Sequence, residues 1–258
     1  PGVRYPAIAF GALTSIFAYL LVKRLFGSEK LALGAVLLNH IVPMFVAGSV
    51  LMTIDPPMFF CWALATYFAA GAIFQKRSWD WPLCGLAVGF GFLAKYPAPL
   101  WFVGLLGVLL SQKTFRRLAV GASIAFIVSL VVTTPVVIWN VQHHGASLWH
   151  VARQTGASGG RLLHGNFWEF IGSQIAVVGP VLAVLMVAAI IDTLRRRPAR
   201  DDVQEKTAHV GLMYLLWIGA PFWIMTMLVS FFAKVQVNWP APAYFALMIL
   251  TASYSGGL

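Results

Sequence analysis

The chain has 258 residues, 60% of them hydrophobic and 10% charged, with a mean hydropathy of +0.81. A soluble core of this size does not need so much apolar surface, whereas lipid-facing helices do, so the composition excludes an ordinary soluble domain. The net charge of +10 is not a nucleic-acid signal, because most basic residues sit in short loops beside apolar runs, where membrane topology accounts for them.

A helix crosses the hydrocarbon core in about 20 residues. The first predicted span is 6–22, ending at Lys23-Arg24. The second, 31–52, runs to Asp55-Pro56-Pro57, and the third, 57–74, returns to Lys76-Arg77. The stretch 82–110 is basic at both flanks and carries Pro97 and Pro99 in its middle, so it is predicted as two short segments, out and back, with Lys95-Tyr96 at the tip. Then come a span at 118–139, a polar stretch at 140–167, spans at 169–191 and 210–232, a short turn at 234–240 and a last run from Ala241. That is an all-α, polytopic bundle of nine apolar segments in a single domain, 1–258, with 140–168 as an external loop. Pro1-Gly2-Val3-Arg4 carries no signal peptide and the chain stops soon after Ala241, so it reads as a piece of a longer protein. Cys61 and Cys84 fall near opposite faces of neighbouring spans and are not expected to pair.

The 18 basic residues divide between alternate gaps. Lys23, Arg24, Lys30, Lys76, Arg77, Lys113, Arg116, Arg117, Arg195, Arg196, Arg197, Arg200 and Lys206 fall in one set. Arg4, Lys95, Arg153, Arg161 and Lys234 fall in the other. The positive-inside rule puts the first set in the cytoplasm and the second outside. Function is expected on the outer face.

Two carboxylates, Asp55 and Glu169, face that side. Asp55 before two prolines reads either as a helix cap or as a site carboxylate. Glu169 opens a span, where it complements the helix dipole. Lys95 is either a snorkelling anchor or the partner of a lipid phosphate. His143, His144, His150 and His164 share the external stretch with Arg153 and Arg161, but match no metal-ligand spacing and have no nearby carboxylate. No metal or other cofactor is expected. His40 lies in mid-span and, like Asn39 and Gln174, reads first as an interhelical hydrogen-bonding residue. Trp239 beside Asn238 suits either the aromatic belt or a sugar face.

These pieces follow an order: Asp55-Pro56-Pro57, the run Gly85 to Tyr96 ending in Lys-Tyr, Trp139-Asn140-Val141-Gln142-His143, Gln174 with Gly179-Pro180, and Asn238-Trp239-Pro240-Ala241-Pro242-Ala243-Tyr244. Over nearly the whole chain this order resembles the bacterial family 39 glycosyltransferases, relatives of the protein O-mannosyltransferases and of the lipid A aminoarabinose transferases. The resemblance implies a GT-C fold and a sugar donor carried on a polyprenyl phosphate. Transfer to a lipid, glycan or protein acceptor would occur at the outer face of a bacterial cytoplasmic membrane. It matches Asp55 to an acidic position and Lys95 to a lysine of the short-helix pair. The family's principal acidic residue would lie in a first external loop preceding the segment at 6–22.

On this basis Asp55 is the candidate catalytic residue. Lys95, Tyr96, Arg153 and Lys234 are candidates for the donor phosphate. Asn140, His143, His144, Gln174, Asn238 and Trp239 are candidates for the substrates. Cations can stabilise charge developing on a departing phosphate, and a carboxylate can take the acceptor's proton. The rival readings are a transporter or flippase, or a non-catalytic scaffold. A transporter places ionisable groups at mid-membrane between repeats, and here only His40 is that deep and no repeat is evident.

Overall fold

The computed structural model describes residues 2–111, 115–154, 165–199 and 201–256, and among these the regular structure is entirely helical. Helix α1 (Tyr5–Phe26) ends at Gly27, whose φ of 68° needs no Cβ and lets its N–H close on the Lys23 carbonyl. Helix α2 (Glu29–Ile41) starts on Ser28, whose hydroxyl accepts the Leu31 N–H. The expected straight span at 31–52 is not formed: α2 meets α3 (Pro43–Val50) at 77°. Pro43 offers no N–H to the α2 ladder, and it holds Val42 extended at ψ 115°. His40 stands, exposed, near the end of α2 beside this break, with its Nε2 3.0 Å from the hydroxyl of Ser15, half-way along α1, which is the interhelical hydrogen bond expected of it.

Helix α4 (Asp55–Phe74) follows, then α5 (Asp80–Ala94), a 3-10 turn at Ala98–Leu100 and α6 (Trp101–Ser111). The stretch at 82–110 is therefore the expected pair of short helices. Lys95 leaves α5 in an extended conformation, and Pro97 and Pro99 shape the turn. Helix α7 (Phe115–Gln142) is longer than its predicted span and carries Pro135 inside it. The polar stretch at 140–167, expected as a loop, contains helix α8 (Ala146–Gln154).

The span expected at 169–191 is also broken. Helices α9 (Phe167–Val178) and α10 (Pro180–Arg195) meet at 99° around Gly179, at φ 93°, and Pro180. Helices α11 (Val203–Val229) and α12 (Ala241–Ser255) complete the bundle. Among the described residues four helices, α1, α4, α7 from Leu118 onward, and α11, are long and apolar enough to cross a membrane, or up to six spans if each bent pair counts as one. The chain is a multi-pass membrane protein.

Small residues let the helices approach. On α5, a Cβ at Gly85 would strike the backbone of Ala125 on α7, and one at Gly89 would strike Val132; on α7, a Cβ at Gly121 would strike Trp81. The matching order along both helices means that α5 and α7 run parallel, in contact through a small-xxx-small stripe. Gly104 and Gly107 bring α6 onto Trp217 and Ile218 of α11 in the same way. Helix α12 is buried from Ala241 to Ser253, as a helix at the centre of the bundle must be, and is apolar on all sides.

At one end of this bundle Arg24, Asp80 and Tyr67 form a buried cluster. The Arg24 guanidinium is 3.4 Å from Asp80 Oδ2, donates to the Tyr67 carbonyl and hydroxyl, and lies 3.6 Å from the centroid of its ring. Arg24 was expected in a cytoplasmic loop; it is instead a linchpin between α1, α4 and α5. Lys95 closes the opposite end of α5, about 22 Å away at 1.5 Å per residue.

Candidate active site

Asp55 is the first residue of α4, and its carboxylate does not cap that helix. It turns to the end of α5 and to the loop before α12. Asp55 Oδ1 accepts from Lys95 Nζ at 2.6 Å. Asp55 Oδ2 accepts from Asn238 Nδ2 at 2.9 Å and from the Thr53 hydroxyl at 3.3 Å. The Thr53 hydroxyl also accepts the Asp55 backbone N–H at 3.2 Å, which steadies the carboxylate from below. The Lys95 and Asp55 side chains are 11% and 14% exposed, so the pair is sheltered yet reachable. A close, charge-assisted pair in such surroundings is much stronger than one in open solvent.

The pair joins two cavities. Lys95 lines one of about 410 Å³ with Leu100, His150, Phe222, Met225 and Trp239. Asp55 and Asn238 line the other, of about 370 Å³, with Pro43, Met44, Leu51 and Val177. A third cavity of about 640 Å³ opens at the bend between α9 and α10. Its walls are apolar side chains of α9 to α12, with Gln174 and Tyr244 as polar members. A pair of opposite charges between two chambers can hold an anion on the lysine side and receive a proton on the carboxylate side.

Of the residues expected at the site, Asp55, Lys95, Asn238 and Trp239 come together. Tyr96 stands beside them but donates its hydroxyl to Ser147 Oγ at 2.7 Å. Asn140 accepts the Ser147 N–H at 3.1 Å, so Tyr96 ties the start of α8 to the α5–α6 turn and Asn140 ties it to the end of α7. His143 stacks on Trp139, with centroids 4.2 Å apart, and is exposed, as is His144 at φ 52°. Gln174 is buried and fully engaged: it donates to the Val237 carbonyl at 3.1 Å and accepts from the Tyr244 hydroxyl at 2.9 Å. It braces the loop and at the same time lines the third cavity. Arg153 and Lys234 are exposed, on the last turn of α8 and on the loop before α12. Glu169 is exposed in the first turn of α9. Arg161 and His164 lie outside the described residues. Thr53 and Asn166 were missed, since a threonine two residues before an aspartate and an asparagine before a helix both read as ordinary turn and cap residues.

A family model described as dolichyl-phosphate-mannose-protein mannosyltransferase matches residues 1–139. The lipid A galacturonosyltransferase RgtD of Rhizobium johnstonii is 33% identical over 215 residues, covering 81% of this chain and 42% of that protein. An undecaprenyl phosphate-alpha-4-amino-4-deoxy-L-arabinose arabinosyl transferase of Pectobacterium atrosepticum is 25% identical, over 99% of this chain and 46% of its own length. The crystal structure of ArnT from Cupriavidus metallidurans bound to undecaprenyl phosphate superposes with a TM-score of 0.68 at 18% identity, over 99% of this chain and 46% of that one. The fold is thus the GT-C type expected, and the chain spans less than half the length of these relatives. With more than half of its residues matched by the family model, the chain belongs to the dolichyl-phosphate-mannose-protein mannosyltransferase family.

Proposed function

We propose that this chain is the membrane-embedded reaction centre of a glycosyltransferase that moves a sugar from a polyprenyl-phosphate donor to a lipid acceptor of the lipid A class. The observation that carries the reading is the sheltered Asp55–Lys95 pair, closed by Asn238, between two cavities. The donor phosphate enters on the Lys95 side and competes with Asp55 for the ammonium. As the bond from the anomeric carbon to the phosphate oxygen breaks, its electron pair stays on the phosphate, where Lys95 balances the new charge. Asp55, released from Lys95 and still held by Asn238 and Thr53, takes the proton of the acceptor group that bonds to the anomeric carbon. The wall of the third cavity has the chemistry of a polyprenyl chain, and Gln174 ties that wall to the residue before Asn238. The names of the relatives, two of them transferases acting on lipid A or on undecaprenyl-phosphate sugar, support donor and acceptor class. The reaction calls on no resident cofactor. Its place is the outer face of the bacterial cytoplasmic membrane, as the division of basic residues indicates.

Asp55→Asn and Lys95→Met in the full-length protein test this reading. Asparagine keeps the shape of the side chain and removes its charge and basicity, so transfer should fall by about 10²–10⁴-fold. Lys95→Met should lose transfer while remaining folded, and Lys95→Arg should retain more of it, because a point-charge contact to phosphate tolerates arginine better than a neutral chain. Normal turnover of undecaprenyl-phosphate sugar by Asp55→Asn or by Lys95→Met would remove the pair from the chemistry.

A further inference from the structure

The loop before α12 reaches the site through a clamp on α9. Asn166 occupies the N-cap of α9, where an asparagine ordinarily bonds the N–H groups of its own helix. Its side chain makes no such bond. Instead its Nδ2 donates to the Val235 carbonyl at 3.0 Å, and its Oδ1 accepts the Val235 N–H at 2.9 Å. One side chain thus satisfies both backbone groups of a residue 69 positions away. Two residues on, Gln174 holds the Val237 carbonyl. The next residue is Asn238, whose amide bonds Asp55. The surrounding contacts are equally close. A Cβ on Gly165 would strike the backbone of Ser230 and Phe231, and Phe167 stacks on Phe231 with centroids 3.9 Å apart.

We infer that Asn166 is a positioning residue of the reaction centre, acting through Val235 to set Asn238 against Asp55. The inference rests on the reading of Asp55 as a reacting group. Asn166 forgoes a cap to make two bonds that only a side-chain amide of this length can make together: aspartate lacks the donor and alanine lacks both groups. With the clamp released, the loop keeps the Gln174 bond and the packing around Phe231 but loses both bonds at Val235, which loosens the hold of the Asn238 amide on the carboxylate.

The test uses the full-length protein in liposomes, with undecaprenyl-phosphate 4-amino-4-deoxy-L-arabinose as donor and purified lipid A as acceptor. Asn166→Ala and Asn238→Ala should each lower kcat by about 10- to 100-fold, the effect of losing a hydrogen bond to a charged group. KM for the donor should stay within about twofold. Because Asn166 acts through Asn238, the double variant should be no slower than Asn238→Ala within about twofold. Asn166→Asp keeps the bond from the Val235 N–H and should fall between wild type and Asn166→Ala; it carries the test if the alanine variant does not fold. Hydrogen exchange at Val235 should rise in Asn166→Ala while α11 and α12 stay protected. Losses that multiply in the double variant, a wild-type kcat for Asn166→Ala, or unchanged exchange at Val235 would each overturn the positioning role. Wild-type transfer by Asp55→Asn would overturn the reading of the site itself, and with it this role, which a failure confined to the Asn166 variants does not.

Discussion

Ion pairs mark both ends of α5, Asp55 with Lys95 at one and Asp80 with Arg24 and the exposed Arg77 at the other, and their surroundings give them different work. Asp55–Lys95 opens onto cavities at both sides and is held by exchangeable partners. Arg24–Asp80 is closed off, with side chains 6% and 1% exposed, and is packed against Tyr67 and Gly71. A buried charge whose partner is removed costs far more than the pair contributes. Asp80→Asn should therefore lower stability by about 3–5 kcal/mol, measured by thermal unfolding in detergent. Arg24→Met combined with Asp80→Leu should recover most of that loss, since it leaves no orphaned charge. If the double variant is as unstable as Asp80→Asn, the cluster contributes packing rather than charge. The residue types at both ends were legible in the sequence. What was not legible was the pairing, because Asp55 and Lys95 are 40 positions apart and Asp55 and Asn238 are 183 apart.

At the scale of elements, prolines and glycines decide the shape. Pro97 and Pro99 turn the chain between α5 and α6, and their effect was evident from the sequence. Pro43 and the Gly179-Pro180 pair break two further spans at 77° and 99°, which apolar run length alone did not reveal. An apolar run of sufficient length fits a straight span and a bent pair equally well. The glycines of α5 have the opposite task, to keep a straight helix close to its neighbour. Gly85→Val should destabilise the protein by about 1–3 kcal/mol, as overpacking does, because the added carbons meet the Ala125 backbone. Gly34→Ala, where nothing lies within 4 Å of the new Cβ, should be neutral or gain up to about 1 kcal/mol of helix propensity. Equal unfolding temperatures for the two variants would mean that α5 and α7 can separate without cost.

For the whole molecule, the proposed orientation, with the Asp55 end outside, rests on the division of basic residues. Gln236 and Ser78 are exposed at the two ends, and the cysteines of this chain, Cys61 and Cys84, are both buried. In intact cells a membrane-impermeant thiol reagent should label Gln236→Cys, and should label Ser78→Cys only after permeabilisation. The reverse pattern would turn the molecule over and put the reaction centre in the cytoplasm.

Composition and run length by themselves determined that this chain is a helical membrane protein, since of the two arrangements that satisfy backbone hydrogen bonds in lipid, helices and closed barrels, only helices need continuous apolar runs of about 20 residues. Charge placement supplied the proposed orientation, and single residue types supplied Asp55, Lys95, Asn238 and Trp239 as candidates. Only the tertiary structure decided that the first three meet, that Gln174 is a brace, and that Asn166 serves the loop before α12 instead of its own helix. The reason is physical. Burial and charge balance are sums over local segments, whereas a site is a set of distances between segments far apart in the chain, and those distances exist only once the helices have packed.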